Sequence, residues 1–483
     1  MLAILPAQVL AQNERSAVTS FDEIDALALM GLEQLNAPGA AIAIFENGAI
    51  VHQKGFGRSG DIGSKVTPQT PFQIASLTKS FTALIILQLE QEGRLSISDP
   101  VVRHIPYFRT SDAKISNKIT IRNLMNHRSG LSTLDGNRYQ TSQYRGKDAT
   151  ERAVRWLSEA YLESAPGTNF NYSNANYATL AHLIETIEQK RYEDVVRERI
   201  FSELGMENSY VQLPDQAGVK EAKGHLLWFG HPFEDHFIAS RMMVASGGVT
   251  TSIEDLAIYL IAVSEGDPRI VPRSLTRSWI ENRKRAYEFG WEHEIIDGQH
   301  IIFHDGANPG FRALMMYNFD ARKGAVFAMN ASGALDGNLH YGVTRFALDL
   351  PSVDISPSKL FTYLLWGSTA MLIGLSIACG FSIRRLLRLV SQPWRPGRIL
   401  RWSTMIIPSL ALAGYAFGLW FYVPRSFGVN FSAVNLFTPD LGLLLMLQIA
   451  IASAWAVLRF VALLRRLKTH KTETSPIQDR QIS

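Results

Sequence analysis

Three Ser-x-x-Lys tetrads occur in the chain: Ser76-Leu77-Thr78-Lys79, Ser111-Asp112-Ala113-Lys114 and Ser356-Pro357-Ser358-Lys359. A serine becomes a nucleophile when a neighbouring amine takes its proton. Helix positions i and i+3 put two side chains on one face, with Cβ atoms about 5–6 Å apart. The tetrad therefore carries chemistry only on a helix. Ser356 lies in a proline-bearing stretch, and Ser111 in a polar one without apolar periodicity. Only Ser76 opens a long helical pattern, running to about Glu92 with Phe81, Leu84, Ile85 and Leu89 as its apolar stripe. A serine there meets free backbone N–H groups and the positive end of the helix dipole, which favour negative charge on an acylated carbonyl. A lysine buried beside it has its ammonium form disfavoured and can accept a proton. Taken alone, the tetrad is explained equally well by an ordinary helix N-cap.

Two further motifs follow in order: Tyr172-Ser173-Asn174, and His304-Asp305-Gly306 in a strand-like run. A second His-x-Gly, His340-Tyr341-Gly342, falls in the last helical pattern and reads as chance. The ordered set Ser-x-x-Lys, Tyr-x-Asn, [Lys/His]-x-Gly resembles the serine β-lactamase and penicillin-binding-protein family, in its class C and D-Ala-D-Ala carboxypeptidase branch. The segments NHRSGL (Asn126–Leu131), PGTNFNYSN, ASGGVTTSIEDL and HDGANPGF also look like family segments, so the resemblance spans roughly residues 20–350.

The resemblance implies an acyl-enzyme. Ser76 would attack a carbonyl, while Lys79 and Tyr172 would pass its proton to the leaving group and then deliver water, either of them serving as the base. Asn174 would hydrogen-bond the substrate amide, and the strand of His304 and Gly306 would align the substrate. The backbone N–H groups of Ser76 and Ala307 would form the oxyanion hole. No cofactor and no metal are implied. Histidine in the third motif, where penicillin-hydrolysing members mostly carry lysine, points toward peptidase and esterase members. The expected substrates are small molecules or peptides: D-configured peptides, or related amides and esters. A β-lactamase remains an alternative. So does a peptidase removing an N-acyl-D-asparagine prodrug group from a nonribosomal peptide product, which the architecture resembles. The rival of another class is a non-catalytic penicillin or peptidoglycan sensor.

Strands at both ends and helices between must position these motifs. Ala40–Phe45, Asn47-Gly48 and Ala49–Gln53 form the strongest hairpin signal, and YEFGWEHEII, HIIFH, FRALMMYNF and KGAVFAMNA read as later strands. Two strands alone are marginal, so the ends must pair. This predicts an α+β fold: an antiparallel β-sheet flanked by helices with an inserted helical region, like the β-lactamase/transpeptidase fold. Ser20 with Asp22 and Glu23 starts one helix, Ser252 caps another, and a last one spans about Leu339 to Leu350. Gly55 to Gly60 matches GxGxxG, but a proline-containing loop follows it where a dinucleotide site needs a helix. His225, His231 and His236, with Glu234 and Asp235, lack a helical HExxH register and read as a solvated loop.

At 483 residues the chain exceeds one common domain. Its 19% charged residues and 46% hydrophobic residues exclude a disordered or collagen-like chain. The single cysteine, Cys379, excludes an internal disulfide. The net charge of +4 hides an asymmetry, because 14 Lys/Arg and three acids lie from Lys359 onward, leaving 34 bases and 41 acids before it. The excess base belongs to the tail, and no nucleic-acid partner is expected. Leu360–Ile383 and Trp402–Pro424 contain no charge, and each outruns a bilayer core of about 30 Å at about 1.5 Å per residue. A third run, Leu441–Leu464, contains Arg459, expected to snorkel toward the interface. Six arginines separate the first two runs, and more bases follow the third. Positive loops stay cytoplasmic, which puts the globule on the extracytoplasmic, periplasmic side and the C-terminus inside, with basic residues meeting membrane lipid. The expected organisation is a leader at 1–16, a hydrolase domain at 17–350, a linker at 351–359, a three-helix anchor at 360–464 and a cytoplasmic tail at 465–483.

Overall fold

A computed structural model of the chain describes residues 20–60, 64–142, 144–211, 221–238, 240–272, 275, 286–390 and 400–473. The expected leader and residues 474–483 of the tail lie outside the described residues.

Ser20 caps the helix Phe21–Leu35 reciprocally: its hydroxyl accepts the Glu23 N–H at 3.3 Å, and Glu23 Oε2 accepts the Ser20 N–H at 2.9 Å. The hairpin follows as β1 (Gly39–Glu46) and β2 (Ala49–Gly57). Asn47 and Gly48 turn it with φ of +49° and +79°, the left-handed pair a two-residue hairpin needs. Within the insert, β3 (Phe72–Gln73), β4 (Tyr210–Val211) and β7 (Val249–Thr251) make a small sheet, and β5 (Gly224–Trp228) pairs with β6 (His231–Asp235). The histidine-rich segment is thus a hairpin and not the expected loop. The chain then returns through β8 (Tyr287–Glu288), β9 (Trp291–Ile296), β10 (Gln299–Asn308), β11 (Phe311–Asn318) and β12 (Lys323–Met329). The main sheet has the order β2-β1-β12-β11-β10-β9-β8, antiparallel throughout, with Ala43 opposite Val326 where the two chain ends meet. This is the expected α+β architecture.

Both faces of the sheet are covered, so β1 is apolar at nearly every position rather than alternating. Ile42, Ile44, Leu314 and Phe327 pack with the helices Phe21–Leu35 and Leu339–Ala347. Ala41, Ala43, Met315 and Val326 join the larger core, which contains the helices Ile253–Glu265 and Thr78–Gln91. The latter is buried almost all round, more than its apolar stripe suggests. Its hydroxyls are paired: Thr78 Oγ1 accepts the Val249 N–H at 3.0 Å, Thr82 Oγ1 donates to the Ala245 carbonyl at 2.7 Å, and Tyr259 donates to Ser80 Oγ at 3.1 Å. Ser76 is not the N-cap of this helix. It lies in a 3₁₀ turn, Ala75–Leu77, that feeds it.

Among the described residues, three helical stretches are long and apolar enough to cross a membrane: Lys359–Arg388, Met405–Ser426 and Pro439–Arg465. Gln448 of the third bonds Tyr415 of the second and donates to the Ser368 carbonyl of the first at 3.1 Å. Arg459 donates inward to Ser382 Oγ at 3.0 Å, a contact the snorkelling expectation did not include. Among the described residues, one hydrogen bond ties the globule to the start of the third stretch and another ties it to the connection that precedes it. The Phe229 N–H donates to Asp440 Oδ2 at 3.0 Å, and Asn137 Nδ2 donates to the Gly428 carbonyl at 2.8 Å.

Candidate active site

The turn bearing Ser76 is strained. Ala75 has φ of +48°, a left-handed conformation costing a non-glycine residue on the order of 1–2 kcal/mol. Two neighbours hold it. Ile74 donates its N–H to the Val249 carbonyl at 3.1 Å, and Gly306 of β10 passes close to the Ile74 carbonyl. A Cβ at Gly306 would overlap the Ile74 carbonyl oxygen, so only glycine lets the strand pass this close. The third-motif glycine therefore makes room for the serine turn itself, a role separate from the expected approach to substrate. Gly306→Ala is expected to push β10 off the turn, lowering kcat by about 10–100-fold and stability by about 1–3 kcal/mol. Turnover of an ester probe and urea unfolding would check both.

Ser76 Oγ lies 3.0 Å from Lys79 Nζ and 3.0 Å from the Tyr172 hydroxyl, which a distant segment brings in. Lys79 is fully buried, and its Nζ also donates to the Ser246 carbonyl at 2.8 Å. Burial pushes its pKa well below the usual lysine range, with the Asp305 charge pulling it partway back. Burial drives the Tyr172 phenol the opposite way, well above its ordinary value, against a smaller effect of its bond to Ser76. Burial thus favours the neutral form of both groups that flank the Ser76 hydroxyl. Because the Asp305 charge raises Lys79, Asp305→Asn is expected to move the acid limb of kcat/KM to lower pH, read from a pH–rate profile.

On β10, His304 is buried, with Nδ1 2.6 Å from the Asp305 carbonyl and Nε2 3.3 Å from the Tyr287 hydroxyl. Nδ1 donates and Nε2 accepts. Burial, then the Lys79 charge, takes its pKa down to about 4. Glu292, His304 and Asp305 bring ligand atoms within 4.8 Å of one another. With Nε2 engaged by Tyr287, the imidazole offers no free lone pair, so this trio is a poor fit to a metal. Burial raises the Glu292 carboxyl to about 7, helped by the Asp305 charge. Burial also works to raise Asp305, but neighbouring His340 and Arg312 overcome it and hold it at about 2. His340, read as chance in the sequence, sits with Nε2 3.9 Å from Asp305 Oδ2. Ala307 is the next residue after Gly306 on β10, opposite Arg312.

Asn174 opens the helix Asn174–Glu188, and its Nδ2 donates to Asn137 Oδ1 at 3.0 Å. Sequence reasoning gave no role to His127 of the NHRSGL segment. Its Nδ1 accepts the Ser173 N–H at 3.1 Å and faces Asn176 Nδ2 at 3.0 Å, and its ring centroid lies 4.3 Å from that of Tyr172. Burial, followed by the Lys79 and His304 charges, pushes its pKa well down. A neutral imidazole therefore wedges Tyr172 beside Ser76.

An antiparallel sheet with an inserted helical region, a Ser-x-x-Lys turn and a facing Tyr-x-Asn define a β-lactamase-like hydrolase fold. The chain belongs to the β-lactamase family, whose model, described as "Beta-lactamase", matches residues 21–347. It is 29% identical over 320 residues to Protein flp of Staphylococcus aureus, covering 64% of this chain and 63% of that protein, so it spans less than two thirds of that relative. It is 26% identical over 358 residues to the unguisins hydrolase ungD' of Aspergillus campestris, covering 69% of this chain and 66% of the relative. Among solved structures it resembles the octameric penicillin-binding protein homologue from Pyrococcus abyssi with a TM-score of 0.58 and 25% identity, covering 68% of this chain and 76% of that one.

Proposed function

We propose that the chain is a membrane-anchored serine hydrolase, its globule outside the cytoplasm, acting through an acyl-enzyme on D-configured amides and esters. The observation that carries this is the meeting of Ser76, Lys79 and Tyr172, with both partners 3.0 Å from one oxygen. Neutral Lys79 takes the Ser76 proton as the oxygen attacks. Tyr172, which keeps its proton, donates toward the leaving group and is reprotonated through Lys79. Water then enters by the reverse route. The backbone N–H groups of Ser76 and Ala307 stabilise the oxyanion, and Asn174, His304 and Gly306 align the substrate. The basic residues flanking the three apolar helices support the outward orientation. A relative named as a hydrolase of unguisins supports turnover over mute binding.

Charge narrows the substrate. The third-motif strand offers a neutral imidazole and an ionised Asp305 with Glu292 beside it, and Arg312 is paired with Asp336 at 2.6 Å. A free carboxylate on the substrate is repelled there, so amides and esters are favoured over carboxyl-terminal peptides. Glu292 ionises as pH rises through about 7, so the preference for a peptide amide over its free acid is expected to widen across that range.

The test uses membranes bearing the full chain or its Ser76→Ala variant. The probes are a fluorescent penicillin, an aromatic ester, a D-Ala-D-Ala peptide, its C-terminal amide and an N-acyl-D-asparagine amide. Ser76-dependent turnover that favours the ester and amides is the expected result. Equal turnover by both proteins overturns the serine mechanism. Covalent labelling without turnover would indicate the sensor, and release of acyl-D-asparagine alone would narrow the activity to prodrug cleavage.

A further inference from the structure

The tip of the β5–β6 hairpin takes no part in the chemistry at Ser76. Leu226 pairs with Phe233 across this hairpin and Trp228 with His231, so these four side chains share one face. Leu226 is buried, whereas Trp228 is 37% and Phe233 68% exposed, and His231 and Pro232 are exposed between them. The tip is nonetheless tied in place. Leu227 donates its N–H to the Ser332 carbonyl at 2.9 Å, and the Gly230 carbonyl accepts from Asn36 Nδ2 at 3.0 Å. Two large aromatics held against water add little to the fold, because their apolar area stays unburied.

The surroundings of the tip point to an occupant. Phe229, at the turn, has its ring centroid 5.6 Å from that of Trp228 and 6.3 Å from that of Trp366, and its N–H donates to Asp440. Trp366 belongs to the first apolar stretch and Asp440 to the start of the third. The first stretch has 30 residues, about 45 Å at about 1.5 Å each, which leaves about 7 Å beyond a bilayer core of about 30 Å at each end. Trp366 lies about 10 Å along it from Lys359, near the edge of the apolar core on the globule's side. Tyr363 and Trp366 here, and Trp420 and Tyr422 near the matching end of the second stretch, are all exposed. Tryptophan and tyrosine collect at this depth in membrane proteins, with their rings among the headgroups. The hairpin turn thus meets the apolar stretches within their aromatic belt.

We propose that the hairpin tip, Trp228 to Phe233, is a membrane-binding surface that beds in the headgroup layer on the globule's side, with Trp228 and Phe233 against lipid. The inference rests on the anchored reading of the chain. The tip contains no acid, lysine or arginine, so bedding it strips no permanent charge of water. Glu234, the first charge past it, is paired with Lys223 at 3.2 Å. The strand that leaves the tip leads back to the active site. There the Phe237 carbonyl accepts from Gln73 Nε2 at 3.2 Å, and Gln73 Oε1 accepts at 3.1 Å from Asn308 Nδ2, the residue after Ala307. Lipid contact at the tip therefore sets how far the Ser76 turn stands from the membrane surface.

The single cysteine, Cys379, lies in the first apolar stretch and provides the reference for a test on the full chain in phosphatidylcholine vesicles. A nitrobenzoxadiazole fluorophore is attached to Cys379 of the wild type, or to Cys379→Ser carrying His231→Cys, Phe233→Cys or Ile295→Cys. Ile295 is an exposed apolar residue on β9 opposite His300, about 26 Å along β10 from Asn308 at about 3.3 Å per residue, and so far from the hairpin. With lipid spin-labelled high on its acyl chains, the labels at 231 and 233 are expected to lose emission as the Cys379 label does, and the label at 295 to keep it. Unquenched emission at either hairpin position, with Cys379 quenched, would overturn the inference. If that emission were also blue-shifted, protein would be covering the tip, whether a second copy or another part of this chain. Equal quenching at 295 would overturn it too, by making the contact nonspecific. An unquenched label at Cys379 would instead overturn the anchored reading beneath it.

Discussion

Ser76→Ala is expected to lower kcat on the preferred ester or amide by about 10⁴–10⁶, the scale seen when a catalytic serine is removed. The fold should remain. Ser76 Oγ bonds the Lys79 amine and the Tyr172 hydroxyl, and such bonds contribute about 0.5–1.5 kcal/mol each to stability. The strain at Ala75 belongs to the backbone, which alanine at 76 leaves unchanged. The proposed oxyanion donors are also backbone groups, so the variant should keep a residual rate of about 10³-fold over water. Steady-state kinetics on an aromatic ester, paired with thermal unfolding of the full chain in detergent, separates the two effects. Lost turnover with a Tm shift under about 5 °C assigns the loss to chemistry, whereas a larger fall in Tm would assign it to folding.

Much of the fold was legible because its signals are local. Asn47-Gly48 demands positive φ at both residues, and Ser20 with Glu23 closes a capping box within one turn. The apolar runs announce long helices through length alone. The meeting of β1 with β12 needed one further step, that an early hairpin cannot stand by itself. The three motifs were legible as a set because their order is specific. Other groups at the site were not. Asn137 lies 37 residues from Asn174 and 291 from Gly428, so no window of sequence contains its contacts. His127 and Glu292 are single polar residues whose surroundings come from other elements, and polar residues carry no periodicity of their own. His340 looked incidental because its neighbour Asp305 reaches it only after β10 and the helix Leu339–Ala347 pack together. The strained turn at Ala75 is hidden for a different reason: tertiary contacts impose it, and alanine itself favours an ordinary helix.

Lys79→Met is the other large effect, and here activity and stability are expected to part. Methionine fills the buried stem of Lys79 without the amine, removing the proposed base at a loss of about 10²–10⁴ in kcat/KM. Stability should move the other way. Burial depresses the Lys79 pKa, so between its folded pKa and the ordinary lysine value of about 10.4 the unfolded chain binds a proton that the folded chain does not. Wild-type stability carried by this residue therefore rises with pH across that window. Methionine has no proton to lose, so its advantage over lysine should be largest at low pH and shrink as pH approaches the ordinary lysine range. Urea unfolding of both proteins at several pH values would show it. The lost bond to the Ser246 carbonyl subtracts a pH-independent amount and leaves the slope intact. A pH-independent difference would mean that Lys79 holds its proton in the folded chain, and an ammonium at that position could not take one from Ser76.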